Sequence, residues 1–431
     1  MTYLGWPGIL RLGLVQTALG MVIVLMTATL NRVMVVELGY LAIVAGGLFA
    51  LYYATQFLRP HFGHGTDRGG RRTPWIIGGV VLLALGGIGA SLSVAVMAEN
   101  RTLGLLAAIP AFLAIGLGIG MAGTNVLALL AATVAPERKA AAGSAVWIMM
   151  VAGLASTGIG VSIYLETFTI ARLVEISAII CTIAVLMTLI GVAGIERRAI
   201  AAPERQERSY RESLRLVWAD PVARRFAIFV FAAMFAYNAQ DLILEPYAGH
   251  VYGMGVDEST LLGSMLHQGA LMGMILVLLA KTLGARIARV PTKAFIVVGC
   301  IGSGAALVAL GLGGQNPESW PIEANVMALG FCNGVFAVAA IGAMMGLASE
   351  GEGRQEGVRM GLFGAAQAIA FGVGAFLGTV AVDIARAFVA SDATAYGTVF
   401  ILEGGLFLIS ALLNLRVEGI GARTPAIVPG E

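Results

Sequence analysis

Apolar residues run along this chain in stretches of about 20 or more, separated by short polar links, and a bilayer-spanning helix needs about that length. The pattern divides the chain into twelve such stretches. They predict helices near 10–36, 40–58, 74–97, 104–134, 140–165, 171–195, 225–249, 259–282, 293–313, 322–348, 358–388 and 394–415. Between the sixth and seventh, residues 196–225 change character abruptly. They hold eight arginines, several glutamates, Pro203 and Pro221, which reads as a polar linker with a surface helix near 207–218. The division is therefore a six-helix half over 1–200, a linker over 201–224 and a second six-helix half over 225–431.

Composition narrows the class. With 58% hydrophobic and 12% charged residues, the chain cannot clothe a soluble domain in a charged surface. An all-α integral membrane protein is expected. The basic residues then read as topology signals: with both termini cytoplasmic, all of the 27 Lys and Arg but Arg32, Arg101, Arg172 and Arg386 fall on the inner side. The small net charge of +2 gives no reason to expect nucleic acid. Arg11 precedes an apolar run too long for a signal-peptide core, and the first helix is expected to remain in the mature chain. Cys181, Cys300 and Cys332 lie apart in predicted helices, which suggests packing rather than disulfides or a metal site.

Fifty-eight glycines fit a membrane interior, where helices associate through small residues. Gly116, Gly118, Gly120 and Gly123 belong to such a run. Part of it spells the G-x-G-x-x-G of dinucleotide sites, but it lies inside an apolar span rather than between a strand and a helix. Asn100-Arg-Thr102 is a formal glycosylation sequon in a very short loop and reads as chance.

The link between the second and third helices runs Gly63-His-Gly-Thr-Asp67-Arg68-Gly69-Gly70-Arg71-Arg72. This G-x-x-x-D-R-x-G-R-R pattern resembles the loop that marks the major facilitator superfamily. The resemblance implies a major facilitator fold of twelve transmembrane helices in two six-helix halves about a central cavity, with Gly63, Asp67, Arg68, Gly70, Arg71 and Arg72 forming a cytoplasmic gate. Gly284-Ala-Arg286-Ile-Ala-Arg289 sits where a second copy belongs and lacks the Asp.

Ionisable groups at membrane depth are costly, so each should be paired, wet or useful. The first helix carries Asn31, Arg32 and Glu37, and the seventh carries Gln240, Asp241 and Glu245 before Pro246. Asp241 and Glu245 are four apart and share a helical face. These six residues are expected to form a charge lock on the outer side, with Arg32 facing Asp241 or Glu245 across the cavity. The alternative is that Arg32 pairs locally with Glu37.

Three stretches carry a narrower resemblance: Thr29-Leu-Asn-Arg32-Val-Met-Val-Val-Glu37-Leu, then Arg59 through Asp67 to Trp75, and Gln240-Asp241-Leu-Ile-Leu-Glu245-Pro-Tyr-Ala-Gly249. They resemble the PucC/LhaA, or bacteriochlorophyll delivery, family, and the likeness runs over essentially the whole chain. It implies a light-harvesting complex assembly factor in the intracytoplasmic photosynthetic membrane of a bacterium. Its cargo would be bacteriochlorophyll, and its partners antenna polypeptides, the pigment's synthase machinery and membrane lipid. A chlorophyll magnesium takes one axial ligand in an apolar pocket. Among the four histidines, His61 and His64 lie in a loop and His250 ends the seventh helix, which leaves His267 in the eighth as the candidate at membrane depth. Asn125, Asn333, Gln367 and Glu403 suit cavity lining or interhelical bonds. A proton-coupled exporter of small amphipathic molecules, using Asp241, Glu245 or Glu403, is the competing reading. A membrane enzyme is not expected, since no catalytic triad, H-E-x-x-H or P-loop is present in the sequence.

Overall fold

The computed structural model describes residues 3–58, 62, 71–135, 138–196, 218–219, 221–283, 290–349 and 356–415. These form helices almost throughout. In chain order they are α1 (Trp6–Glu37), α2 (Ala42–Ala54, continued by a tight turn over Thr55–Leu58), α3 (Arg72–Glu99), α4 (Arg101–Thr133), α5 (Lys139–Tyr164) and α6 (Ile170–Val192). Then come α7 (Pro221–Ala239, turning through Gln240–Leu242 into Leu244–Tyr252), α8 (Val256–Leu283), α9 (Thr292–Gly313), α10 (Ile322–Ser349), α11 (Glu356–Phe388) and α12 (Asp392–Leu415). Ten of these are long and apolar enough to cross a membrane, the bent α7 makes an eleventh, and α2 is a shorter apolar helix. The protein is a multi-pass membrane protein. Large apolar side chains such as Leu85, Ile163, Ile190 and Leu402 stand exposed on its outside, where lipid replaces water.

Two departures from the expected helices have local causes. α4 begins at Arg101 because the Asn100 side chain accepts from the Leu103 amide at 3.0 Å, which supplies an N-cap. α7 is not one straight helix to 249. It bends by 42° between Leu242 and Leu244 and reaches Tyr252. Pro246 has no amide to give the carbonyl four residues back, that of Leu242, and its ring crowds the same carbonyl. The surface helix expected near 207–218 lies, but for its last residue, outside the described residues, as do the linker before it and the 284–289 segment.

Helix pairing repeats between the halves. α1 packs on α5 and α6 as α7 packs on α11 and α12, α3 on α4 and α6 as α9 on α10 and α12, and α2 on α4 as α8 on α10. The halves meet through α2 against α11 and α5 against α8, again a matched pair. One buried cluster draws on α1–α6 with Leu242, Val256 and Ala375, and the other on α7–α12 with Val151. Glycines set the closest approaches. A Cβ at Gly118 would lie 2.6 Å from the Gly79 carbonyl, and one at Gly330 or Gly334 would lie 2.0 Å from the carbonyl of Leu266 or Ala270. Gly118, within the G-x-G-x-x-G run, is thus a packing position of α4.

Candidate functional site

Call the side where α1 begins and α12 ends the near side, and the opposite one the far side. A central cavity of about 220 Å³ opens between the halves. α1, α2, α4 and α5 line it from one half and α7, α8 and α11 from the other. Its residues belong to the middle and near-side portions of their helices. Tyr52, Tyr53, Trp147, Tyr237 and Phe371 give it aromatic walls, with Tyr237 and Phe371 stacked at 6.1 Å and 23°. Asn238 spans it, its amide donating to the Tyr53 hydroxyl at 3.2 Å and to the Phe371 carbonyl at 2.9 Å.

Asp241 and His267 both border this cavity. His267 makes no hydrogen bond among the described residues. His250 instead meets the Tyr396 hydroxyl at 3.0 Å. Gln367 also lines the cavity, whereas Asn125 turns to its own helix and Asn333 accepts from the Ser303 hydroxyl at 2.7 Å. Glu403 is buried in α12 with neither carboxyl oxygen bonded among the described residues.

Beyond the cavity, bonds between the halves close the far side. The Leu242 carbonyl left over by Pro246 accepts from the Asn31 amide at 2.7 Å. Thr29 meets Thr260 at 3.4 Å, and Ser264 donates to the Ala155 carbonyl at 2.5 Å. Asp383 of α11 accepts from the amides of Ala42 and Ile43 at 3.1 and 2.6 Å, so one half caps a helix of the other.

Arg32 is 2% exposed. Wide π-type turns flank it at Leu25–Leu30 and Val33–Glu37. Such turns bring residues five apart onto one face. Its guanidinium accordingly pairs with Glu37 at 2.5 Å and donates to the Met254 carbonyl at 2.6 Å. Met254 follows Gly253, whose φ of +66° turns the chain out of α7. The ion pair is thus the local one, with no ion pair to Asp241 or Glu245. Arg32 still bridges the halves, but through a carbonyl. Gln240 and Glu245 are buried, Glu245 with one oxygen unbonded among the described residues.

Of the gate residues, Gly63, Asp67, Arg68 and Gly70 lie outside the described residues. Arg71 precedes α3 and Arg72 begins it. The Glu196 carboxylate, just after α6, accepts from the amides of Arg72 and Thr73, and the Arg72 side chain donates to the Ala128 carbonyl at 3.3 Å. Glu196 and Asp383 are contacts that the sequence reading missed. Asp383, an acid inside the apolar run of α11, carried a signal that could have been used.

The fold matches solved transporters. A D-xylose-proton symporter superposes with a TM-score of 0.73 at 13% identity, covering 96% of this chain and 98% of that one. A bacterial homologue of the lysosomal transporter Spinster, inward-facing and unoccupied, gives 0.70 at 14% identity over 97% and 98%. These show the major facilitator fold. Among curated relatives, a Rhodobacter capsulatus protein described as the bacteriochlorophyll synthase 44.5 kDa chain is 45% identical over 99% of this chain and 100% of its own length. The PucC protein of Cereibacter sphaeroides is 29% identical over 94% and 91%. A family described as PUCC protein matches residues 29–421, and with that match over nearly the whole length the chain belongs to the PucC family.

Proposed function

We propose that this protein takes bacteriochlorophyll into its central cavity and hands it to light-harvesting antenna polypeptides in a bacterial photosynthetic membrane. The observation that carries the reading is His267, an imidazole without a hydrogen-bond partner among the described residues, bordering an aromatic-walled cavity. A pigment magnesium needs one such axial ligand, and the flat macrocycle suits walls built from Tyr52, Trp147, Tyr237 and Phe371. The names of the relatives, a bacteriochlorophyll synthase chain and PucC, support a pigment cargo. Delivery requires no bond to be made or broken by the protein, so the role is that of a carrier rather than an enzyme.

By the positive-inside rule the near side, with Arg11, Arg71, Arg72, Arg138, Lys139 and Lys293, is cytoplasmic. The cavity then receives its cargo from the cytoplasmic side or leaflet, where the pigment's synthase machinery would act, and the far-side bonds hold the other face shut. Asp67, Arg68, Arg71 and Arg72 would form the cytoplasmic gate, and the halves would rock about the cavity. The second reading, proton-coupled export of a small amphipathic molecule, draws on Asp241, a carboxylate bordering the same cavity.

The test is the absorbance spectrum of the tagged protein purified in mild detergent from a pigmented host, with copurifying subunits identified. Near-infrared absorbance in stoichiometric amount, accompanied by antenna polypeptides and lost in His267→Ala, is expected. A colourless, solitary protein would overturn the reading in favour of export.

A further inference from the structure

We infer that Glu245 is a proton-binding site built into the far-side closure, protonated while that side is shut and releasing its proton as Arg32 leaves Glu37 and the side opens. The inference does not depend on what the cavity carries. Glu245 is 2% exposed, and its Oε2 has no hydrogen-bond partner among the described residues. A buried carboxylate without a partner is costly, whereas the neutral acid is tolerated. Space for the group is made by Gly263 of α8, where a Cβ would fall 2.3 Å from Oε1.

A small cavity of about 10 Å³, room for about one water, adjoins this carboxyl and the main cavity. Thr27, Glu245 and Gly263 line it, and Asp241 and His267 border both spaces. Asp241 and His267 are thus the side chains through which a proton would pass between the central cavity and Glu245. On the other flank, Gly249 lies one turn along the same face of α7, and a Cβ there would lie 3.3 Å from the Arg32 guanidinium. Arg32 is thus one helical turn from a carboxyl it does not touch. In the closed state it serves Glu37, which is itself 38% exposed on the far side, and Met254.

The charged and titratable groups around Glu245 are accounted for element by element. α1 offers Arg32, α7 itself offers Asp241, and α8 offers His267. At the start of α8, Glu258 accepts from the Gly255 amide. On α11 and α12, Asp383 is held by the amides of α2, and Arg386 pairs with Asp392 at 2.8 Å. Arg32 is the cation within reach of Glu245 among the described residues. When Glu245 loses its proton, its carboxylate competes with Glu37 for that cation, and the bond from Arg32 to Met254 that joins the halves is given up.

The test uses the full-length protein in lipid nanodiscs, with Cys181, Cys300 and Cys332 replaced by alanine. Spin labels go at the exposed far-side positions Leu41 and Phe388, one in each half. The distance between them should be short and single at low pH, with a longer population growing as pH rises, and Glu245→Gln should stay short throughout. Wild-type distances that ignore pH, or a Glu245→Gln protein that opens as the wild type does, would overturn the inference. So would a transition that survives Glu245→Gln and vanishes in Asp241→Asn. If Glu245→Gln does not fold, Glu245→Asp should open at a displaced midpoint, and an unchanged profile there counts against the site. Pigment copurification is read separately, so a failed gate and a wrong cargo remain distinguishable.

Discussion

Asn31 completes the backbone that Pro246 interrupts: its side-chain amide donates to the Leu242 carbonyl at 2.7 Å, and that carbonyl lies four residues before the proline. One substitution in each half should therefore be coupled. Asn31→Ala leaves a buried carbonyl unpaired and should weaken the far-side closure by about 1 to 2 kcal/mol. Adding Pro246→Ala supplies an amide within α7 and should recover part of the loss. Label distances between Leu41 and Phe388 in the four proteins of the cycle measure this, and strictly additive effects would show that the two residues act independently.

Asp383 should be worth more than its place in an apolar helix suggests. It offers both oxygens to the first amides of α2, adding the charge-dipole attraction of a helix start to a bond between the halves. Asp383→Ala should lower stability by about 1 kcal/mol or somewhat more, and Asp383→Asn by less, because one acceptor remains. Thermal unfolding in detergent gives the order. An Asn variant as unstable as the Ala variant would mean that the charge, rather than the acceptor, dominates.

Packing between α8 and α10 leaves no room for a side chain at Gly330, where a Cβ would fall 2.0 Å from the Leu266 backbone oxygen. Backbone cannot yield as a flexible side chain can. Gly330→Ala should cost about 1 to 3 kcal/mol and reduce the monodisperse yield. Gly405, with no atom within 4 Å of its added Cβ, is the control, and its alanine variant should behave as wild type.

The helices are legible in the sequence because their signal is length of apolar run, which needs no knowledge of packing. The bend in α7 is not evident from Pro246 by itself, since the residue that compensates it, Asn31, lies in the other half. For Arg32, the choice between Glu37 and the acids of α7 turned on π-type turns that residue spacing does not announce. A regular helix would set residues five apart on different faces, and the wider turns bring Glu37 back beneath the guanidinium. Membrane depth singles out His267 among the histidines, but its lack of a partner among the described residues and its place on the cavity wall are facts of packing. Asp383 and Glu196 went unseen because each caps a helix from which it is remote in sequence.

Glu403 is the other buried acid without a partner, 4% exposed in the middle of α12, with both oxygens unbonded among the described residues. Unlike Glu245 it borders neither cavity, so no path for a proton is evident and the group stands as a desolvation cost. Glu403→Met, close in volume and free of polar atoms, should raise stability by about 1 to 3 kcal/mol, with Glu403→Gln falling between it and wild type. Melting curves in detergent decide the stability, and copurified pigment decides the function. A methionine variant that melts lower would show that the carboxyl has a partner in the folded protein. One that melts higher yet loses its pigment would assign Glu403 to the transport cycle, and its burial would then be a cost retained for function.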